Sequence, residues 1–157
     1  MFNWITMTRK LHAVLAATLL LSGCGPGTTR LEDLNTTEIT LPDGRKIVAE
    51  NMVREMDLTR GMMFRDALPP GRGMLLIFSA EARHPAFTYQ CRVPLDILWM
   101  DRNERIVEIA TNIPPCASKS AKSCPTYGGA KASRYALELN GGGSAAYKLK
   151  IGDRLSF

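Results

Sequence analysis

Cysteine, histidine and the carboxylates carry most nucleophilic, metal-binding and acid–base chemistry. Here the first two are scarce, with four cysteines and two histidines in 157 residues. Cys91, Cys116, Cys124 and His84 make a three-sulfur, one-nitrogen zinc set on paper. Their spacings contain no close C-x2-C pair, so no metal and no cofactor are expected. A Cys–His or Ser–His–Asp catalytic arrangement would also have to use His84. Nothing around Ser79 or Cys91 has the form of a nucleophile elbow, and His84 reads as a surface histidine in a loop. Cys116 and Cys124 bracket one loop with seven residues between them. The expectation is a disulfide between those two, with Cys91 either a buried apolar thiol or a competitor for one of them.

Among the carboxylates, Asp96 stands inside the otherwise apolar run Leu95-Asp96-Ile97-Leu98-Trp99. A buried charge is costly unless paired, so Asp96 must face solvent or hold a partner, and Arg65 is the expected one. On that reading the pair ties the sheet to the methionine-rich segment. The alternative is a ligand role. Arg60, Phe87, Tyr89 and Tyr127 are expected to line a concave face on the side of Asp96, a mixture that suits a sugar ring or a peptide. Glycosidase chemistry would need a second carboxylate, Glu108 or Asp101, about 5–10 Å away. Met62, Met63 and Met74 are expected to fill core rather than bind metal.

The elements that must position these groups begin after an export signal. Arg9 and Lys10 precede an apolar run from Leu11 to Leu21, interrupted by His12 and Thr18. That run is too short to span a bilayer, which takes about 20 apolar residues, and it matches a signal-peptide core. It ends in Leu21-Ser22-Gly23-Cys24, which resembles a bacterial lipobox. Residues 1–23 are therefore expected to be removed, and Cys24 to carry the lipid that anchors the protein, with several acyl chains giving a stable hold. Gly25 rather than Asp after the cysteine fits forwarding to the outer membrane, facing the periplasm. Residues 24–36 read as the lipidated cysteine and a flexible tether.

The rest, 37–157, suits a single domain. The formal charge of +5 falls to +3 without Arg9 and Lys10, and the basic residues are scattered. Nucleic-acid binding calls for a basic patch or stripe and is not expected. Strand-like runs occur at Thr37–Leu41 and Lys46–Asn51 around Pro42-Asp43-Gly44, then at Met74–Phe78, Leu95–Asp101, Arg105–Thr111, Tyr135–Leu139 and Asp153–Phe157. Glu55–Met63 reads as a short helix, and Ser144–Leu149 as one helical turn. The expected class is mainly β (α+β): a compact antiparallel sandwich or barrel with one or two short helices.

Five ordered motifs carry a resemblance. They are Arg60-Gly61-Met62-Met63-Phe64-Arg65, Gly73-Met74-Leu75-Leu76-Ile77-Phe78, Pro94-Leu95-Asp96-Ile97, Arg134-Tyr135-Ala136-Leu137-Glu138-Leu139 and Ile151-Gly152-Asp153. Together they resemble the family catalogued as domain of unknown function 192, found in bacteria and archaea and often exported. The resemblance implies a mostly β, jelly-roll-like fold and brings no agreed activity. The family's usual Phe-Trp-Met-Lys-Asn-Thr stretch reads Phe87-Thr88-Tyr89-Gln90-Cys91-Arg92 here, so no role resting on its Trp, Lys or Asn transfers.

The functional expectation is a monomeric, lipid-anchored envelope module that binds a glycan, peptide or protein partner without catalysis. The alternative is a hydrolase of cell-wall or sugar substrates that uses Asp96 and a second carboxylate.

Overall fold

The computed structural model describes residues 35–157. The segments expected to be signal peptide, lipobox with Cys24 and most of the tether lie outside the described residues. Strand β1 (Thr36–Thr40) turns into β2 (Lys46–Met52) through Pro42-Asp43-Gly44. Gly44 takes φ +83°, and the Asp43 carboxylate accepts the Arg45 N–H at 3.1 Å, which fixes the hairpin register at Thr40 opposite Lys46. Helix α1 (Glu55–Arg60) stops at Gly61, one of the two stops that the sequence offers, the other being the Leu68-Pro69-Pro70-Gly71 turn; Gly61 takes φ +39°.

Pro69-Pro70-Gly71 then redirects the chain into the long strand β3 (Arg72–Arg83). The α1 segment acts as a crossover, so β3 lies parallel to β2. Strands β4 (Leu95–Met100), β5 (Ile106–Ile113) and β6 (Ala132–Asn140) complete one six-stranded sheet in the order β1-β2-β3-β6-β4-β5. The antiparallel expectation holds for every neighbouring pair except β2–β3, which makes the sheet mixed. One short helix, α2 (Gly143–Ala146), follows β6.

The sheet is open, and the last residues form bridges rather than the expected strand. Ser156 bridges Thr40 of β1, and Arg154 bridges Arg105 beside β5. The C-terminal segment thus straps the two sheet edges together. Beneath it lies one core cluster, including Ile39, Leu98, Met100, Leu137 and Leu155. The other face carries a second cluster with Met62, Met74, Leu76, Ile97 and Trp99, roofed by the segments around Met62 and Ala86. Strand β4 is buried along its whole length because both clusters use it. Among the described residues no helix is long and apolar enough to cross a membrane.

Candidate functional site

Side chains alternate across a strand, so Ala136 and Glu138 of β6 face the second cluster while Leu137 and Leu139 face the first. Glu138 lies opposite Ile97 in the β4–β6 register and is 6% exposed. Its Oε2 is buried and has no hydrogen-bond partner in the protein. Gly61 is the reason the carboxyl fits beneath α1: a Cβ there would stand 3.2 Å from Oε2. Burial pushes the Glu138 carboxyl up to about 7, with Arg65 pulling the other way. Removing a carboxylate from water favours its neutral form.

Above this carboxyl opens a cavity of about 90 Å³, walled by Leu58, Leu76, Phe87, Cys91 and Trp99, with Arg60 and His84 also among its lining residues. Burial and then the Glu138 charge push the Cys91 thiol up to about 11. It is a neutral thiol at physiological pH and a poor nucleophile. The Trp99 indole N–H is already used, donating to the His84 carbonyl at 2.7 Å. The His84 ring stacks on Phe78 with centroids 3.7 Å apart. Beside this cavity, sharing Arg60, Gly61 and Met63 with it, lies an open polar cleft bearing Arg54 and Arg65.

The expected site is thereby redrawn. Asp96 faces the first cluster, on the opposite side of the sheet from this cavity, and is fully buried. It is not paired with Arg65. Its carboxylate accepts backbone N–H groups from Asn112 at 2.8 Å, Gly142 at 3.0 Å and Ser144 at 2.8 Å, and the Ser144 hydroxyl as well. Burial alone would raise this carboxyl. The bonds from Asn112, Ser144 and Gly142 outweigh it and hold the pKa below the ordinary value. Arg65 instead makes a two-pronged pair with Glu50, both contacts at 2.9 Å.

The other expected residues separate in the same way. Arg60 and Phe87 do line the cavity. Tyr89 instead donates to the Lys119 carbonyl at 3.3 Å, and Tyr127 packs on the second cluster. Glu108 accepts the Ala130 and Lys131 N–H groups, and Asp101 those of Asn103 and Arg105. His84 sits partly buried against Phe78 at the cavity rather than as a free surface side chain. Cys116 and Cys124 are disulfide-bonded with Cα atoms 5.8 Å apart, and Cys91 is free. Met62 and Met74 are core, while Met63 lines the cavity.

Glu138 is the functional candidate that sequence reasoning passed over. Its signal was there, a carboxylate between Leu137 and Leu139, the same pattern that drew attention to Asp96. The arrangement offers one carboxyl poised near neutrality at the floor of an apolar cavity. Among the described residues no three His, Cys, Asp or Glu side chains gather to hold a metal ion. What the cavity can do is bury an apolar group and exchange hydrogen bonds with a polar tip.

A family model described as an uncharacterized ACR matches residues 38–157. None of the curated proteins matches. Two solved structures share the fold. One, of unknown function, comes from Novosphingobium aromaticivorans and is 24% identical, with a TM-score of 0.67, over 78% of this chain and 85% of that one. The other, named as a candidate transcription regulator of Sinorhizobium meliloti, is 26% identical, with a TM-score of 0.66, over 76% of this chain and 89% of that one.

Proposed function

The chain belongs to the domain of unknown function 192 family, and from that premise we propose a non-enzymatic envelope protein, lipid-anchored through Cys24, that binds a peptide or protein partner in the cavity over Glu138. One observation carries the reading: a buried carboxyl with an unpaired oxygen at the floor of an apolar cavity. Stability alone would favour an apolar residue there, since an unsatisfied buried polar group costs about 1–3 kcal/mol. Binding sites combine apolar walls with a few placed polar groups. A peptide side chain suits the cavity better than a glycan, whose hydroxyls would meet mostly apolar walls. The hydrolase alternative loses its acid, because Asp96 is buried and its oxygens are occupied by Asn112, Gly142 and Ser144. The anchor rests on the basic pair, short apolar core and lipobox of residues 9–24.

Two measurements test the reading. Radioactive palmitate should label the parent protein and not Cys24→Ala; labelling of both would remove the anchor. Peptide-array binding by the whole protein should vanish in Thr59→Trp, which places a large ring at the cavity wall. Array binding unaffected by Thr59→Trp would move the site elsewhere.

A further inference from the structure

The Glu138 cavity is closed to water on most sides, and the chemistry of its floor restricts what can enter. We propose that it accepts a primary carboxamide on a short aliphatic stem, the side chain of glutamine or asparagine in a partner peptide. This deepens, and rests on, the reading of the cavity as a peptide site.

The argument starts from what the carboxyl lacks. Oε2 has no partner, and the wall residues Leu58, Leu76, Phe87 and Trp99 supply none, since the one indole N–H among them is spent on the His84 carbonyl. A carboxylic acid presents a donor and an acceptor side by side, and a primary amide presents the matching acceptor and donor. The two close a planar pair of hydrogen bonds that gives the carboxyl both its partners and uses the amide oxygen and one of its two N–H donors, the other pointing back toward the cavity mouth. A hydroxyl carries its donor and acceptor on a single oxygen, so it cannot meet both carboxyl oxygens with two straight bonds as an amide does.

The charges around the floor argue against an ammonium. Arg60 and Asp57 come from α1, and Arg65 from the turn after it, neutralised by Glu50 of β2. His84 and Cys91 come from the β3–β4 connection, and β4 contributes only Ile97 and Trp99. Arg60 thus stands beside the cavity, where it repels a cation. An ammonium would also forfeit its hydration on entering an apolar cavity, the costly half of any buried pair. A neutral amide avoids both penalties. Because the pair needs the protonated acid, a carboxyl near 7 predicts binding that weakens as the pH rises.

The test uses simple probes on the purified protein, reading the Trp99 indole N–H resonance by NMR. n-Butyramide should shift it saturably and bind about tenfold more tightly at about pH 6 than at about pH 8, the ratio of protonated carboxyl at those two values. Glu138→Gln keeps an amide-pairing group and should bind n-butyramide with no pH dependence, whereas Glu138→Leu should lose it. Preference for n-butylammonium with affinity rising with pH overturns the proposal, as does preference for N-acetylglucosamine or silence with every probe. If arrayed peptides free of glutamine and asparagine bind in a Thr59→Trp-sensitive way, the peptide site stands and the amide assignment alone falls. If neither arrayed peptides nor probes bind, both fall.

Discussion

Asp96 and Glu138 sit one register step apart on neighbouring strands, Asp96 opposite Leu139 and Ile97 opposite Glu138, and their carboxyls point to opposite faces of the sheet. Both are buried. On one face three backbone N–H groups and a hydroxyl converge on Asp96. On the other, Glu138 meets apolar walls and the floor of a cavity, with no protein donor on its Oε2. The same side-chain chemistry therefore serves as a structural hub in one place and as an available group in the other. What separates the two is the number of donors that the fold brings to each.

Stability should record the difference as a function of pH. The folded-state pKa of Glu138 is raised from an ordinary 4.5 to about 7. The stabilisation from holding that proton is complete below about pH 4.5 and lost as pH rises through 7, a change of roughly 3 kcal/mol from this group. Asp96 has the opposite sign, with stability present above its ordinary value and lost as pH falls through its depressed one. Glu138→Gln should flatten urea-unfolding stability between about pH 5 and 7 and leave the protein roughly 2 kcal/mol more stable than the parent at higher pH. A parent profile already flat across that window would disprove a raised Glu138.

Asp96→Asn should be severe for a reason unrelated to Arg65. The new NH₂ would confront a donor, either the Ser144 N–H and hydroxyl or the N–H groups of Asn112 and Gly142. Leaving buried donors opposed costs about 2–4 kcal/mol. Because Arg65 is engaged with Glu50, Asp96→Asn combined with Arg65→Met should simply add the two single effects. Rescue by the second change would restore an Asp96–Arg65 pair.

The hairpin at Pro42-Asp43-Gly44 and the β-rich class were legible because turn chemistry and alternation are local properties. The parallel β2–β3 neighbours were not, since periodicity assigns faces to a strand but says nothing about which strand lies beside it. Asp96 could be recognised as needing partners, yet its partners are backbone amides from 16 to 48 residues away, and any residue type supplies an amide. Glu138 escaped because Tyr135–Leu139 reads as a half-buried alternation. Only the placement of β6 between β3 and β4, with Met62 and Gly61 folded over it, buries both faces.

The loop closed by Cys116 and Cys124 spans a sequence separation of only eight residues. In the chain-entropy model a loop of that length is worth about 2–3 kcal/mol. Cys116→Ser should therefore lower unfolding free energy by that amount under oxidising conditions. Under reducing conditions it should have almost no effect beyond the parent's own loss. Since Cys116 lies beside Tyr89 and its N–H is held by the Thr88 carbonyl, faster hydrogen exchange should appear there first. Equal stability of parent and variant in oxidising buffer would show that the bond adds nothing.

Gly128 tests how rigidly the cavity wall is held. A Cβ at this position would stand 2.4 Å from the Trp99 ring, and Trp99 is fully buried with its indole N–H fixed on the His84 carbonyl. On the Gly128 side, Tyr127 is joined to Ala86 by two backbone hydrogen bonds of 2.9 and 2.8 Å. Neither partner can yield without breaking something. Gly128→Ala should cost about 2–4 kcal/mol from overpacking together with the strain of φ +66°. Gly44→Ala is the matched control: its φ of +83° carries similar backbone strain, but nothing lies within 4 Å of the added methyl. It should cost only about 1–2 kcal/mol. The difference between the two variants in urea unfolding isolates the steric contribution, and the Trp99 indole N–H of Gly128→Ala should exchange faster with solvent as its bond to His84 loosens. Equal losses in both variants, with unchanged indole exchange, would mean that the wall yields freely and that the cavity over Glu138 has no fixed shape.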